Sequence, residues 1–286
     1  MDFIISTDST CDLSTCQLEQ MKVPVVSLAY SVNGVEYGNE SGKNLSIKEY
    51  YNAMRQGDKT NTSRITTNQA YEFFSALLSQ KKNILHICFS SALSGTYESV
   101  KAVADQLNSQ NENKIIVIDS KCACLGEGLL VSLVCSYAKS HTFTQTIEYA
   151  EKTKDKIVHL FSVDDLKYLC AGGRVSKAAA MVGSMLKIKP VLCVDETGRL
   201  IPKAKCIGRK SSLNKLIDKT IEHYTGESEK VIVAHADCKQ DAEYITTALK
   251  EKLGVNAQIG EIGFVIGGHA GPGTIAIFFV GENRTF

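Results

Sequence analysis

What this chain lacks narrows its chemistry first. Its 32 basic side chains face 31 acidic ones, a formal balance of +1 over 286 residues. No net field concentrates nucleic acid, so DNA and RNA are not expected partners. No stretch approaches the ~18 consecutive apolar residues of a membrane-spanning helix. Met1-Asp2-Phe3 runs straight into a strand-like segment without a basic leader, and the cytoplasm is the expected location. Gly126-Glu127-Gly128 lacks the third glycine of a dinucleotide turn, and Gly208-Arg209-Lys210-Ser211 imitates only the end of a Walker loop. There is no Gly-x-Ser-x-Gly elbow to carry a hydrolase nucleophile. Cys122 and Cys124 stand one residue apart, not the two of zinc or redox pairs, and no histidine is near them, so no metal is expected. The ten cysteines are read as reduced core thiols, with Cys88, Cys135, Cys193 and Cys206 each alone in an apolar segment. Internal repeats and low-complexity tracts are also missing. The expected protein is not an enzyme.

What is present is an ordinary globular composition, 44% apolar and 22% charged, in a chain long enough for two domains. The polar segment Lys152 to Lys156 precedes a new apolar run, which puts the expected boundary near residue 156, between domains 1–156 and 157–286. In the first domain, Phe3 to Thr7, Val23 to Tyr30, Asn83 to Phe89 and Lys114 to Ile118 read as buried parallel strands. Helical patterns alternate with them. Ser46 and Glu49 form a capping box, and Ala70, Tyr71, Phe74 and Leu78 are placed on one helical face. Asn33-Gly34 signals a projecting hairpin. In the second domain a helix is expected over Ser176 to Leu186, and a hairpin at Glu196-Thr197-Gly198 makes part of the sheet antiparallel. The expected fold class is α/β, with a mainly parallel sheet and flanking helices in the first domain and a mixed sheet in the second.

Four segments sit where ligands gather in such folds, at strand ends and helix starts. Ser90 to Tyr97 follows a strand and opens a helix, so its backbone N–H groups suit an anion, although Ser94 also reads as a plain cap bonding Tyr97. Thr62-Ser63 offers hydroxyls that donate to a carboxylate, or simple turn chemistry. Gly267 to Gly273 reads as a glycine-rich connector in which His269 supplies a ring donor. The loop from Asp119 into Gly126-Glu127-Gly128 reads as scaffold, its glycines permitting close packing on a strand.

These segments, in this order, resemble the DegV family, which includes the binding subunits of bacterial fatty-acid kinases. The resemblance covers essentially the whole chain. It runs from Asp8-Ser9-Thr10-Cys11-Asp12-Leu13 through Thr62-Ser63, Ser91 to Tyr97 and Ile118-Asp119-Ser120 to Leu169 to Ser176 and Gly268 to Gly273. It implies a long-chain fatty acid in a hydrophobic tunnel, with Thr62, Ser94 and His269 at its carboxylate, Ser63 among the ligand-binding residues, and Gly95 and Gly268 framing the head through the backbone. Arg174 would hold the charged head or dock a partner. The implied partner is a separate ATP-dependent fatty-acid kinase subunit that forms an acyl phosphate for phospholipid synthesis; transient membrane contact is allowed, and no cofactor is needed. Two departures stand out: Arg64-Ile65-Thr66 replaces the proline usual after the Thr-Ser pair, and Gly38-Asn39-Glu40 stands where an Asp is usual. Two other readings stay open, a subunit binding a small carbonyl compound, as in dihydroxyacetone kinases, and a lipid carrier without a kinase.

Overall fold

The computed structural model describes residues 2–38, 45–176, 188–228 and 230–285. Its first sheet is parallel, ordered β2-β1-β6-β7, from β1 (Phe3–Asp8), β2 (Val25–Val26), β6 (Asn83–Cys88) and β7 (Ile115–Asp119). These strands are apolar on both faces because both are covered. Ile5, Leu85 and Ile87 face the core that includes Leu129 and Leu130 of α5 (Leu125–Tyr137). Ile84 and Cys88 face α3 (Thr67–Leu78) and α4 (Thr96–Asn108) through Phe74, Val100 and Ala104. The expected α/β class with a parallel first sheet is what the chain adopts.

The expected strand Val23 to Tyr30 is broken in two. After β2 the chain turns at Ser27-Leu28, where the Leu28 N–H donates to the Ser9 hydroxyl at 2.9 Å, and the chain leaves the first sheet. It re-enters strand geometry as β3 (Ala29–Val32), which forms a separate antiparallel sheet, β4-β3-β5, with β4 (Val35–Tyr37) and β5 (Thr60–Ser63). Asn33 and Gly34 both take positive φ, 49° and 79°, as the Asn-Gly hairpin predicts.

Helix starts follow a common grammar. The Ser46–Glu49 box opens α2 (Ile47–Gln56), and the same reciprocal pairing opens α1 (Thr15–Met21) from Ser14, α3 from Thr66 and α6 (Phe143–Lys154) from Thr142, with Gln in the third place. On α3 the buried residues are Ala70, Phe74 and Leu77, whereas Tyr71 is 42% exposed. Positions 70, 74 and 77 follow the i, i+4, i+7 stripe, and Tyr71 lies about 100° round from Ala70. The Asp8-Ser9-Thr10 segment is structural: Asp8 caps the 3₁₀ turn Ser9–Cys11 by accepting from the Thr10 N–H.

The second sheet is ordered β10-β9-β8-β13-β11-β12, built from β8 (Ile157–Ser162), β9 (Ile188–Val194), β10 (Leu200–Ile207), β11 (Ile232–His235), β12 (Gln258–Glu261) and β13 (Ile275–Val280). Only β11 and β12 pair in parallel, so the sheet is mixed, as expected. One face packs on α8 (Arg209–His223) and α9 (Lys239–Leu253) through Val158, Leu160 and Ile277. The other face, with Ile157, Phe161 and Phe278, turns toward the first sheet's helix α5. α7 (Lys167–Ala171) and α10 (Phe264–Ala270) complete the elements used below. The expected helix Ser176 to Leu186 falls, after Ser176, outside the described residues, as do Asn39 and Glu40.

Gly126 shows why α5 opens with glycines. A Cβ there would lie 2.2 Å from His159 Nε2, on a ring in the buried middle of β8. The glycine lets helix and strand meet. Gly126→Ala is expected to cost about 1–3 kcal/mol by overpacking, read as a lower urea midpoint with unchanged m-value; an unchanged midpoint would show that the ring has room to move.

Candidate functional site

Between the two sheets lies a cavity of about 250 Å³. Its apolar wall includes Phe89, Leu93, Phe161, Val194, Ile262 and Phe278. Thr62, Ser63, Ser94, Gly95, Arg174 and His269 also line it, although they come from four separate segments of the chain. Gly268 is not among its lining residues. The Gly268 carbonyl accepts from the Thr60 hydroxyl at 3.3 Å, and a Cβ on Gly268 would lie 2.6 Å from the Tyr50 hydroxyl, so this glycine serves packing of α10 against α2.

Each polar group is positioned by its element. Thr62 and Ser63, expected in a loop, are the end of β5, where alternation points Thr60 and Thr62 toward α10. The segment around His269, expected as an irregular connector, is the helix α10. Two tyrosines of α2 anchor it: Tyr50 donates to the Phe264 carbonyl at 2.9 Å and Tyr51 to that of Ile262 at 2.7 Å. The outcome is a Thr62 Oγ1 to His269 Nε2 hydrogen bond of 2.7 Å. A Cβ on Gly172 would lie 2.3 Å from His269 Nδ1, so the Gly172-Gly173 turn closes over the ring from the other side.

Ser94 does not cap Tyr97. The N-cap of α4 is Gly95, which has no side chain to bond the helix, and the Ser94 hydroxyl instead accepts from the Thr96 N–H at 3.2 Å and bonds the Thr96 hydroxyl at 3.0 Å. The start of α4 therefore keeps its dipole end open to an anion. Arg174 is held from both sides, its Nε donating to the Leu93 carbonyl at 3.0 Å and its Nη1 to that of Gly172. Its guanidinium so brings a positive charge to the same cavity.

Sequence reasoning passed over two wall residues. Arg64 follows Thr62-Ser63 in place of the family's usual proline, and its guanidinium lies against Gly95. His159 is buried in β8 and also lines the cavity. Its Nε2 accepts from the Ala123 N–H at 3.2 Å, and its Nδ1 lies 3.1 Å from the Ile157 carbonyl, which fixes the proton on Nδ1. Alternation along β8 carried the signal for this, since 157, 159 and 161 share a face. Elsewhere, Asp8, His86 and Cys88 bring ligand-type atoms within 4.8 Å of one another. Both Asp8 oxygens already accept from Thr10 and the Phe89 N–H, and His86 Nδ1 bonds Ser6, as in a hydrogen-bonded core.

Burial, helped by the Arg174 charge, lowers the His269 pKa from 6.5 to about 4. Burial likewise takes His159 and His86 down to about 3. The ring facing the cavity is thus neutral at pH 7 and acts as a hydrogen-bonding group. Because the unfolded imidazole protonates near 6.5 and the folded one near 4, stability is expected to fall as pH drops from about 6.5 to about 4. His269→Gln should flatten that part of the urea-midpoint profile; equal slopes in parent and variant would refute the burial of a neutral ring.

An α/β protein with an apolar cavity between its two larger sheets, bordered by hydroxyls, a neutral imidazole and a guanidinium, has the features of a binder of amphipathic small molecules. The chain belongs to the DegV family, whose model matches residues 2–282. It is 36% identical to a DegV domain-containing protein of Clostridium perfringens over 99% of this chain and 98% of that one. A DegV domain-containing protein of Lactococcus lactis is 32% identical, with 98% of each chain covered. Among solved structures, DegV of Bacillus subtilis, described as a fatty acid binding protein, is 25% identical with a TM-score of 0.84, covering 99% of this chain and 100% of that one. A stearic acid-binding protein of Eubacterium ventriosum has a TM-score of 0.88 at 23% identity over 98% of both chains, a likeness of fold.

Proposed function

We propose that this protein binds a long-chain fatty acid, with the tail in the cavity between the sheets and the carboxylate at Thr62, Ser94 and His269, and presents that carboxylate to a separate ATP-dependent kinase. The observation that carries the reading is the Thr62–His269 pair on the wall of a cavity otherwise lined mostly by apolar side chains. The fatty acid binding described for the Bacillus subtilis relative supports it. The apolar lining speaks against a small polar carbonyl compound as ligand. We take residues 1–156 and 157–286 as the two units that close on the ligand, and the cytoplasm as the location; among the described residues no helix is long and apolar enough to cross a membrane.

Magnitudes divide the work between tail and head. At ~0.8 kcal/mol per buried methylene, ~14 methylenes offer ~11 kcal/mol before ordering costs. Each hydrogen bond to a charged head contributes roughly 1.5–3 kcal/mol. The tail therefore supplies most of the affinity, and the head group fixes register. Arg174 balances the carboxylate's charge, and the neutral His269 donates or accepts according to what Thr62 does.

Mass spectrometry of the denatured, freshly purified protein is expected to release a long-chain fatty acid. Ser94→Ala should still carry it but hold it about tenfold less tightly and, with a fatty-acid kinase subunit and ATP, yield less acyl phosphate. Recovery of no lipid, with no uptake of offered palmitate or oleate, would overturn the binding reading. Bound lipid that gives no acyl phosphate with any kinase subunit supplied would leave a carrier in place of a kinase partner.

A further inference from the structure

We infer that His159, flanked by Val194 and Phe278, is a rigid floor that sets the length of acyl chain the cavity accepts. The inference rests on the reading of the cavity as an acyl site.

The strand register defines the floor. On β8, Phe161 lies opposite Ala276 of β13, and His159 opposite Phe278. On the other side Phe161 pairs with Leu192 of β9, which puts Val194 beside His159. Two successive rows thus cross three neighbouring strands, separated by ~6.6 Å at ~3.3 Å per residue. Phe161 and Ala276 form the upper row with Leu192, next to Thr274 and the α10 end that carries His269. Val194, His159 and Phe278 form the lower row, and all three line the cavity. The next inward residues, Ile157 and Val280, belong to the packed core and are not among the lining residues. The cavity ends at the His159 row.

That floor cannot easily give way. The His159 ring is bonded at both nitrogens to backbone, the Ala123 N–H and the Ile157 carbonyl. Phe278 meets it edge-on, with centroids 5.2 Å apart at 88°. Behind it stands the backbone of Gly126, too close for any Cβ. Rotating the imidazole away would strand a buried N–H and drive the ring into helix α5. With both nitrogens engaged by backbone, this polar residue closes an apolar site without exposing an unpaired polar atom.

A rigid floor predicts a sharp limit. Each methylene that finds apolar cover raises affinity about fourfold, and the first one that meets the floor must buckle the tail or lift the head from Thr62 and His269. The full-length protein, stripped of lipid and refolded, is offered an equimolar ladder of straight-chain saturated fatty acids, and the retained species are identified by mass spectrometry. The parent is expected to show a steep fall beyond one length. Phe278→Ala and Val194→Ala, which lower the floor without touching the His159 hydrogen bonds, should move that limit to longer chains and favour the next homologues by about fourfold per added methylene. Ala276→Val, one row nearer the head, should move it to shorter chains. Folding is checked by thermal midpoint, and either truncation suffices. A limit that stays put in a folded truncation variant overturns the floor while the acyl reading stands; absence of any uptake by the parent overturns both.

Discussion

The two hydrogen bonds of His159 are the interaction on which the site depends. The ring stands in β8 of the second sheet, and it bonds the Ala123 N–H in the loop that follows β7 of the first. It therefore ties the two sheets together at the base of the space between them. An apolar cavity survives only where the polar atoms of its wall are satisfied elsewhere, since an unpaired buried donor or acceptor costs about 1–3 kcal/mol and draws water in. His159 meets this condition with backbone partners, and Arg174 does the same at the other end by reaching the carbonyls of Leu93 and Gly172. The cavity keeps its apolar middle because its polar wall residues turn inward to the backbone.

The head end is built on a different device, the convergence of short segments by glycines and tyrosines. Tyr50 bonds the Phe264 carbonyl at the start of α10 and Tyr51 that of Ile262 just before it, Gly267 and Gly268 let their hydroxyls come close, and Gly172 lets the neighbouring turn lie on the imidazole. The histidine is thereby buried enough to stay neutral, yet one of its nitrogens faces Thr62. A charged ring there would stand beside Arg174, which is the second reason for its low pKa. The open dipole end of α4 completes the positive side of the site without adding a titratable group.

Much of this could be read in the chain as written. Alternating apolar runs and helical stripes gave the α/β class, Asn33-Gly34 the hairpin, and the glycines in the first turn of α5 the close helix–strand approach, because each depends on a few adjacent residues. Local grammar failed where long-range bonds redirected the chain. Val23 to Tyr30 looks like one strand, but the Ser9 hydroxyl takes the Leu28 N–H and splits it. Thr62-Ser63 looks like a turn, but β3 pairs with it and makes it an edge strand. Gly267 to Ala270 looks too glycine-rich for a helix, yet it ends α10, whose start α2 holds at the Ile262 and Phe264 carbonyls.

By itself the sequence determined the inventory: most of the strands and helices, which segments carry hydroxyls, glycines, an imidazole or a guanidinium, and that a dinucleotide turn and a complete Walker loop are not written in it. Only the tertiary structure decided that Thr62 and His269, more than two hundred residues apart in the chain, bond each other, that Gly268 packs instead of lining the cavity, and that His159 forms part of its wall. The physical reason is that periodicity and turn chemistry are set by neighbours along the chain. Cavity walls, proton positions on buried imidazoles and their pKa values are set by neighbours through space.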